Sequence, residues 1–508
     1  MAYPSANWTI MVYICADDVL ANFAVESLKQ LRDAAGDGIV VLAQFDANQH
    51  RDTPIYLFDG KQPNRATSSI ENSRVATIAG PVDMTLPATL TQFIDYASQT
   101  SKTERYCLVL WGHGTELLLD QERRRTAING TGSANEPERA KEPDRAYLTY
   151  PNLKKALRDT KLAKGQLGPD HPKSIADARR SQYDGRRHTL DILGIDACSM
   201  SMVELASELQ DQVDYMVASQ EDVPDASFPY QKILSDLKDR DIRQDVRKVC
   251  KLIPGLYHQA FRDYIASPGT GVKAITLASL DLTKVRSITD PLTKLATALL
   301  NSRYDESLRQ KIVAARSEAQ DYDFGLFVDL CDFCERLGYK LSRQNIAEIG
   351  LASACKAVSD AIKVHEDGCV IENQPDVKQN HSHGLSIYFP YRTEDETEEV
   401  QEALAKGGSR QPLKGGSRQP LKGGSRQPLK GGSRQPLKER TARIQELEAD
   451  FTQLDEFRRT GWDEFIKQGW SFILANETPF QLDTYYSAEQ CAANLLSLCS
   501  SRRDEKAA

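Results

Sequence analysis

Two residues capable of nucleophilic chemistry each follow an apolar segment typical of a buried β-strand. His113 comes directly after residues 108–112, and Cys198 comes directly after residues 192–197. The carboxyl ends of neighbouring parallel strands meet at one edge of a sheet, so the pattern predicts that the imidazole and the thiol lie side by side. An adjacent imidazole takes the proton of a thiol or stabilises the thiolate. The two residues therefore have the chemistry of a nucleophile and its base.

The segments around these residues alternate between strand and helix patterns. Strands are predicted at residues 9–15, 39–45, 55–58, 106–111, 189–195, 215–218 and 274–279. Helices are predicted at residues 21–35, 90–100 and 201–211. This alternation predicts an α/β fold with a mostly parallel central sheet covered by helices on both faces. The helix that starts at residue 201 lies just beyond Cys198, where its positive end helps to stabilise a thiolate.

Several ordered motifs resemble the clostripain family of cysteine peptidases, which are relatives of the caspases. They are Trp-Gly-His-Gly at 111–114, Asp-Ala-Cys at 196–198, the strand at 8–13 with Ala-Asp-Asp at 16–18, Val-Ala-Ser-Gln-Glu at 217–221, Gly-Leu-Ser-Ile-Tyr-Phe-Pro at 384–390 and Thr-Gly-Trp at 460–462. The resemblance implies a caspase-like α/β/α sandwich and a cysteine endopeptidase. It implies that Cys198 forms a thioester acyl-enzyme with His113 as the proton carrier, and that the backbone N–H groups of Gly114 and Cys198 bind the oxyanion.

The substrate preference is predicted from Asp196. It lies two residues before Cys198, so both side chains project from the same side of the strand end. A carboxylate there pairs with a basic side chain, and Arg is preferred over Lys because its planar fork binds two oxygens. Many relatives carry Gly-Trp-Asp-Tyr where this chain has Ser-Phe-Pro-Tyr at 227–230, so a second pocket acid is replaced by proline. Asp222 and Asp225 are the candidates to substitute for that acid.

A long insert, residues 119–188, separates the two motifs. It contains one predicted helix at 151–159 and is otherwise rich in Gly, Pro and charge, which is typical of a functional surface loop. The resemblance implies maturation by cleavage between the His-bearing and Cys-bearing segments. The first candidate cleavage sites are Arg179, Arg180, Arg186 and Arg187, and the second are Arg123, Arg124 and Arg125.

Four identical copies of Gly-Gly-Ser-Arg-Gln-Pro-Leu-Lys begin at residues 407, 415, 423 and 431. Each copy offers one Leu against two Gly, one Pro and two cations, so the repeats cannot build a core and are predicted to form a flexible tether. They divide the chain into a peptidase domain at 1–395, an acidic and repeat linker at 396–438, and a helical C-terminal region at 439–508. The repeats are either a simple spacer or a further set of cleavage sites, at Arg410, Arg418, Arg426 and Arg434.

Composition excludes several classes of function. The net charge of −8 gives no reason to expect nucleic-acid binding, and ten cysteines in 508 residues are too dilute for a disulfide scaffold. The first residues lack the pattern of a secretory signal, and no apolar run approaches the roughly 18 residues that span a bilayer. We therefore expect a cytoplasmic protein that contacts no membrane. Its expected partners are protein or peptide substrates with basic residues before the cleaved bond, and an upstream activating protease.

Possible metal ligands occur in pairs that are too small to form a site. Cys331 and Cys334 have the spacing of half a zinc site, but the surrounding pattern is that of an amphipathic core helix. His381 and His383 are two ligands without a third and are interpreted as part of a loop. Asp17 and Asp18 do not make a calcium loop, although some members of the family require calcium. No metal site and no required cofactor are predicted, and calcium is left open by the resemblance.

Three functional hypotheses remain besides a constitutively active peptidase. A nucleotide-binding α/β enzyme is disfavoured because the chain lacks GxGxxG and GK[ST] phosphate loops. A catalytically silent pseudo-peptidase that acts as an interaction scaffold is disfavoured by the presence of both His113 and Cys198. The third hypothesis is a zymogen, activated by itself or by another protease within a cytosolic signalling or defence cascade.

Overall fold

The computed structural model describes most of the predicted peptidase domain and a shorter stretch near the C-terminus. The described ranges are 7–16, 20–47, 52–61, 69–80, 82–115, 118–123, 144–184, 189–265, 274–322, 325–342, 345–365, 368–376, 379–390, 451 and 453–476. Within these ranges, none of the helices has the length and apolar character needed to span a membrane.

The central sheet contains nine of the fifteen described strands. In chain order the strands are β1 (Trp8–Cys15), β2 (Ile39–Asp46), β3 (Thr53–Phe58), β4 (Arg74–Ile78), β5 (Arg105–Gly112), β6 (Gly114–Thr115), β7 (Leu118–Arg123), β8 (Asp144–Leu148), β9 (Leu190–Asp196), β10 (Val213–Ala218), β11 (Thr276–Asp281), β12 (Asp321–Tyr322), β13 (Phe327–Asp329), β14 (Val370–Pro375) and β15 (Ser386–Tyr388). The large sheet has the order β14-β11-β10-β9-β5-β1-β2-β3-β4. Two three-stranded sheets, β12-β13-β15 and β6-β7-β8, complete the β-structure.

The five middle strands of the large sheet, from β10 to β2, pair in parallel, which confirms the mostly parallel sheet. The pairs toward both edges are antiparallel. Along β1 the side chains alternate between two cores: Met11 and Tyr13 belong to one cluster, and Val12 and Ile14 to the other. Because both faces are buried, the parallel strands are continuous apolar runs rather than alternating polar and apolar ones.

Helices cover both faces. They are α1 (Ala21–Ala34), α2 (Pro87–Thr100), α3 (Tyr150–Asp159), α4 (Pro172–Asp184), α5 (Val203–Leu209), α6 (Tyr230–Asp236), α7 (Arg240–Arg243), α8 (Val246–Ile265), α9 (Arg286–Ser302), α10 (Glu306–Glu318), α11 (Leu330–Lys340), α12 (Ile346–Ile362), α13 (Asp455–Arg458), α14 (Trp462–Glu464) and α15 (Ser471–Asn476), with short 3-10 turns at Ile70–Ser73 and Leu282–Lys284 and a π-helical turn at Phe465–Trp470. Apolar residues of α1, α6 and α8 form one core with the sheet, and those of α2, α3, α5 and α9 to α12 form the other.

The insert is more structured than predicted. Helix α3 confirms the predicted helix, but the expectation of an irregular loop after it is wrong over α4. Lys173, on α4, is 2% exposed and makes ion pairs with Asp177 at 3.1 Å and with Asp191 of β9 at 2.9 Å. A charged segment therefore packs on the sheet because its buried cation has two carboxylate partners.

The described C-terminal segment packs on the same core as the peptidase domain. The indole N–H of Trp462 donates to the carbonyl of Tyr388 at 2.8 Å, and that of Trp470 donates to the carbonyl of Pro390 at 2.6 Å. The ring of Phe389 lies 4.7 Å from Trp470 and 5.4 Å from Trp462, in edge-to-face geometry. Each aromatic pair of this kind adds about 0.5–1.5 kcal/mol beyond simple burial. The described segment after the repeats is thus packed against the segment that ends before them, at Tyr388 to Pro390.

Candidate functional site

The two sequence motifs meet at one edge of the central sheet. Strands β5 and β9 are parallel neighbours, and their register pairs Trp111 with Asp196. His113 and Cys198 each come two residues after that pair, so both chains leave the sheet at the same carboxyl edge. The predicted convergence of the two strand ends is therefore confirmed.

Gly114 lies directly against the backbone of Cys198. A Cβ atom at Gly114 would lie 2.4 Å from the backbone nitrogen of Cys198 and 2.6 Å from its carbonyl oxygen, closer than real side chains approach. Only glycine fits at this position. The segment that carries His113 is consequently packed against the residue that carries the thiol, although the oxyanion role of Gly114 and Cys198 stays a prediction.

The nucleophile candidate lies on a tight turn held by the chain after β10. Ser199 has a φ of 57°, a left-handed conformation that is uncommon outside glycine. Its backbone N–H donates to the carbonyl of Glu221 at 3.2 Å, and the backbone N–H of Val223 donates to the sulfur of Cys198 at 3.3 Å. The segment from Ser219 to Tyr230, here called the capping loop, therefore fixes the turn and covers part of the thiol.

The surroundings of the Cys198 thiol disfavour its thiolate, although this is the one partly exposed cysteine among the eight in the described part of the chain. Burial, followed by the negative charge of Asp222, raises the pKa of Cys198 to about 12, and the Val223 N–H lowers it only in part. Asp225 also raises this pKa through its charge. His113 makes no hydrogen bond or ion pair with another residue of the described ranges. A thiol with a pKa in this range is protonated at neutral pH.

Asp196 lies beneath this turn and is 2% exposed. Its Oδ2 accepts hydrogen bonds from the hydroxyl of Ser227, from the backbone N–H of Phe228 at 2.8 Å and from the hydroxyl of Tyr230 at 2.9 Å. Its Oδ1 is buried without a hydrogen-bond partner in the described structure. Burial raises the pKa of Asp196 to about 7, although all three hydrogen bonds lower it. One oxygen is thus held by the capping loop and the other is left unsatisfied.

The sequence matches one family along most of its length. The model of the clostripain family, peptidase family C11, matches residues 12–470. The chain belongs to the clostripain family. It is a cysteine-type endopeptidase with the fold of this family, as the motifs at His113 and Cys198 indicated.

Solved structures of clostripain-family proteases are similar to this chain at low identity. An inactive zymogen C11 protease from Parabacteroides distasonis is 17% identical, with 79% of this chain and 97% of that chain covered and a TM-score of 0.47. A secreted C11 cysteine protease from Bacteroides thetaiotaomicron, in complex with an irreversible peptide inhibitor, is 14% identical, with coverages of 79% and 97% and a TM-score of 0.48. No curated protein matches this chain.

Two contributors to the clostripain-family site were not predicted from the sequence. Ser227, with a φ of 67°, holds Asp196 from the capping loop. Tyr257, on α8, is fully buried with its ring 5.8 Å from Phe228, and its hydroxyl has no hydrogen-bond partner among the described residues. The charges of Asp196, Cys198 and Asp222 add to burial in raising the pKa of Tyr257, so this hydroxyl lies near the site. Nothing in the sequence around Tyr257 predicts that it lies near Asp196 and Cys198.

Most of the other predicted site residues fall outside the described ranges. These are Arg124, Arg125, Arg186, Arg187, Arg410, Arg418, Arg426 and Arg434, while Arg123 ends β7 with only its backbone described. Asp17 and Asp18, which the sequence did not assign to a site, also lie outside these ranges. Arg179 and Arg180 lie inside α4. The guanidinium of Arg180 binds both oxygens of Asp214, which is 2% exposed. Cleavage at these two positions requires local unfolding of the helix.

Proposed function

We propose that this clostripain-family enzyme hydrolyses peptide bonds after Arg, and less readily after Lys, with Cys198 as nucleophile and His113 as proton carrier. The observation that supports this most directly is the contact of Gly114 with the backbone of Cys198, because it holds the His-bearing segment against the thiol. The Cys198 sulfur attacks the carbonyl carbon, and His113 delivers the proton to the leaving amine as the C–N bond breaks. Water, deprotonated by His113, then hydrolyses the thioester and restores the thiol.

The basic specificity is supported by the unsatisfied oxygen of Asp196. A buried acceptor without a donor costs about 1–3 kcal/mol, and a guanidinium supplies both the donor and the opposite charge. Asp222 and Asp225 lie close enough to act on the pKa of Cys198, so their charges also favour a cationic substrate. Pro229 takes the place of the second acid of many relatives, which is why we propose preference for Arg rather than strict exclusion of Lys.

We also propose that the resting form is a zymogen. The raised pKa of the Cys198 thiol and the hydrogen bond from the capping loop to its sulfur both support a site that must rearrange before catalysis. Cleavage in the insert is the proposed trigger, by the enzyme itself or by another protease. Because Arg179 and Arg180 lie within a helix, we propose Arg186, Arg187 and the arginines at 123–125 as the more accessible cleavage sites.

Reporter peptides provide the test. Wild type, Cys198→Ala and His113→Ala, each before and after cleavage of the insert by an added protease that is then removed, are incubated with peptides that end in Arg, Lys or Asp before the reporter, and fragments are followed by intact mass. We expect hydrolysis after Arg and Lys by wild type alone. Equal turnover by Cys198→Ala, or a preference for Asp, contradicts the proposal. Failure of wild type to react with an arginyl chloromethyl ketone even after cleavage of the insert favours a silent scaffold instead.

A further inference from the structure

Three side chains of different metal-binding types converge outside the catalytic centre. Cys331 and Glu335 lie on α11, and His383 precedes β15; one ligand atom from each lies within 4.8 Å of the other two. A spacing of four residues places Cys331 and Glu335 on one face of the helix. The sequence offered only a Cys pair and a His pair, each too small for a site. The fold brings together one member of each pair.

A carboxylate orients the histidine of this cluster. Nδ1 of His383 lies 3.0 Å from Oδ1 of Asp329, and the backbone N–H of His383 donates to Oδ2 of the same residue at 2.6 Å. Nδ1 is thus taken by Asp329, and Nε2 is the ring nitrogen that an ion would use. His383 and the Cys331 thiol are hydrogen-bonded to each other, and an ion bound between them would replace that contact. A histidine whose second nitrogen is held by a carboxylate is the recurring arrangement around protein-bound zinc.

We propose that Cys331, Glu335 and His383 bind a Zn²⁺ ion, with water in the fourth position. Thiolate, imidazole and carboxylate together are the ligand types of zinc, whereas calcium and magnesium take oxygen alone. The ion has a path from solvent, because the side chains of Glu335 and His383 are 39% and 24% exposed. The thiol lies behind them, fully buried.

Small movements suffice to close the site. Zinc bonds of about 2.0–2.3 Å place tetrahedral ligand atoms roughly 3.5 Å apart, so the three ligand atoms, now within 4.8 Å of one another, have to approach by at most about 1.3 Å. We expect Glu335, the most exposed of the three side chains, to supply this movement. It then leaves Lys363, whose ammonium lies 2.6 Å from Oε1 and whose side chain is 50% exposed. The Cys331 thiol, now 3.7 Å from the carbonyl of Ser359, gives up its proton to become a ligand.

The experiment uses the full chain with Cys198→Ala, so that the catalytic thiol cannot hold the ion. Metal-free protein is titrated with Zn²⁺ against a chromogenic chelator, and Co²⁺ replaces Zn²⁺ to reveal sulfur-to-metal absorption. Cys331→Ser and His383→Gln are compared with Cys334→Ser and His381→Gln, which change the other member of each motif. Glu335→Gln alters an exposed side chain, and a thermal melt verifies that each variant is folded.

We expect one equivalent of Zn²⁺, a rise in Tm on binding, and a sulfur-to-cobalt band. Affinity falls at least 10–100-fold in Cys331→Ser and His383→Gln and is weakened in Glu335→Gln, while both control variants bind as their parent does. The proposal is overturned if Cys331→Ser binds as tightly as its parent, if Cys334→Ser loses as much affinity, or if binding appears only when Cys198 is present.

Discussion

Val223 donates its backbone N–H to the sulfur of Cys198, and this contact joins the nucleophile to the same loop that holds Asp196. The capping loop thus controls both the thiol and the carboxylate of the proposed specificity pocket. A rearrangement that frees the sulfur also changes the donors around Asp196. We therefore expect thiol reactivity and basic specificity to appear together on activation.

Alkylation of Cys198 reports the resting state directly. Because its pKa is raised to about 12, the thiolate fraction at pH 8 is on the order of one in ten thousand, and only the thiolate reacts. We expect the uncleaved chain to react slowly with iodoacetamide at pH 7–8 and faster as the pH rises toward 10, as measured by intact mass. Rapid labelling of the uncleaved chain at pH 7 contradicts this description. Cys198→Ala gives the background from the other cysteines.

Asp196→Asn separates stability from function. The folded pKa of about 7 is above the ordinary value of 3.8, so the folded state holds this proton more tightly than the unfolded state. Wild type therefore loses stability as the pH rises from about 4 to 7 and stays at the lower level above it. The Asn side chain has no proton to lose. The free energy of unfolding of the variant, relative to wild type, therefore rises between about pH 4 and pH 7, by at most about 4 kcal/mol. Activity toward arginyl peptides is lost.

Glu204→Gln is the matched control for Asp196→Asn. Glu204 is fully buried, accepts the backbone N–H of Tyr388 at 2.7 Å, and has a pKa raised by burial to about 7. Its variant is expected to show the same pH-dependent gain in Tm while keeping the activity. If both variants lose activity equally, Asp196 acts through the fold and not through the substrate.

Gly114→Ala tests the contact between the two strand ends. The new methyl group would lie 2.4 Å from a backbone nitrogen, so the chain must shift, at a cost of about 1–3 kcal/mol, and hydrolysis should fall by at least tenfold. Gly338→Ala on α11 is the control, because nothing lies within 4 Å of its added Cβ. That change should stabilise the helix by about 0.5–1 kcal/mol. Unchanged kcat/KM in Gly114→Ala would refute the proposed geometry.

The candidate cleavage sites are distinguished by fragment mass. Arg180→Ala removes the two hydrogen bonds that its guanidinium makes to the buried Asp214, so we expect a loss of about 1–3 kcal/mol in the free energy of unfolding and no change in the fragments. A double change of Arg186 and Arg187 to Ala is expected to abolish a cut near the Cys strand. Fragments that end at Arg179 or Arg180 in the wild type would instead show that α4 opens before cleavage.

Apolar strand patterns were sufficient to predict that His113 and Cys198 follow neighbouring strands at one edge of the central sheet. The continuous runs before His113 and Cys198 are typical of buried parallel strands, and β5 and β9 pair as expected. The antiparallel edges were not predicted, since an apolar run does not encode direction. The sequence did not predict helix α4 because its residues are highly charged. The burial of Lys173 is stable only because Asp177 and Asp191 form ion pairs with it, and Asp191 comes from a different element.

Local sequence patterns could not predict contacts between segments that are far apart in the sequence. The spacing of Asp196 from Cys198 predicts that it lies near the thiol. Its hydrogen-bond donors, however, come from the segment Ser227 to Tyr230, which the sequence distinguishes only by the acid it lacks. In the sequence, Cys331 belongs to a Cys pair and His383 to a His pair, and neither pair alone has enough ligands for a metal site. The two residues lie close together only because α11 packs against the segment before β15, and neither motif predicts that packing.

The aromatic seam formed by Phe389, Trp462 and Trp470 joins, in one core, two chain segments that lie on either side of the repeats. The sequence predicts that the repeats form a flexible tether between these segments, and halving the length of such a tether changes the free energy of loop closure by only about 0.6 kcal/mol. We therefore expect chains with fewer or more copies to be nearly as stable as this one. A cut within the repeats is expected to leave two polypeptides that migrate as one particle in a native gel and separate only under denaturing conditions.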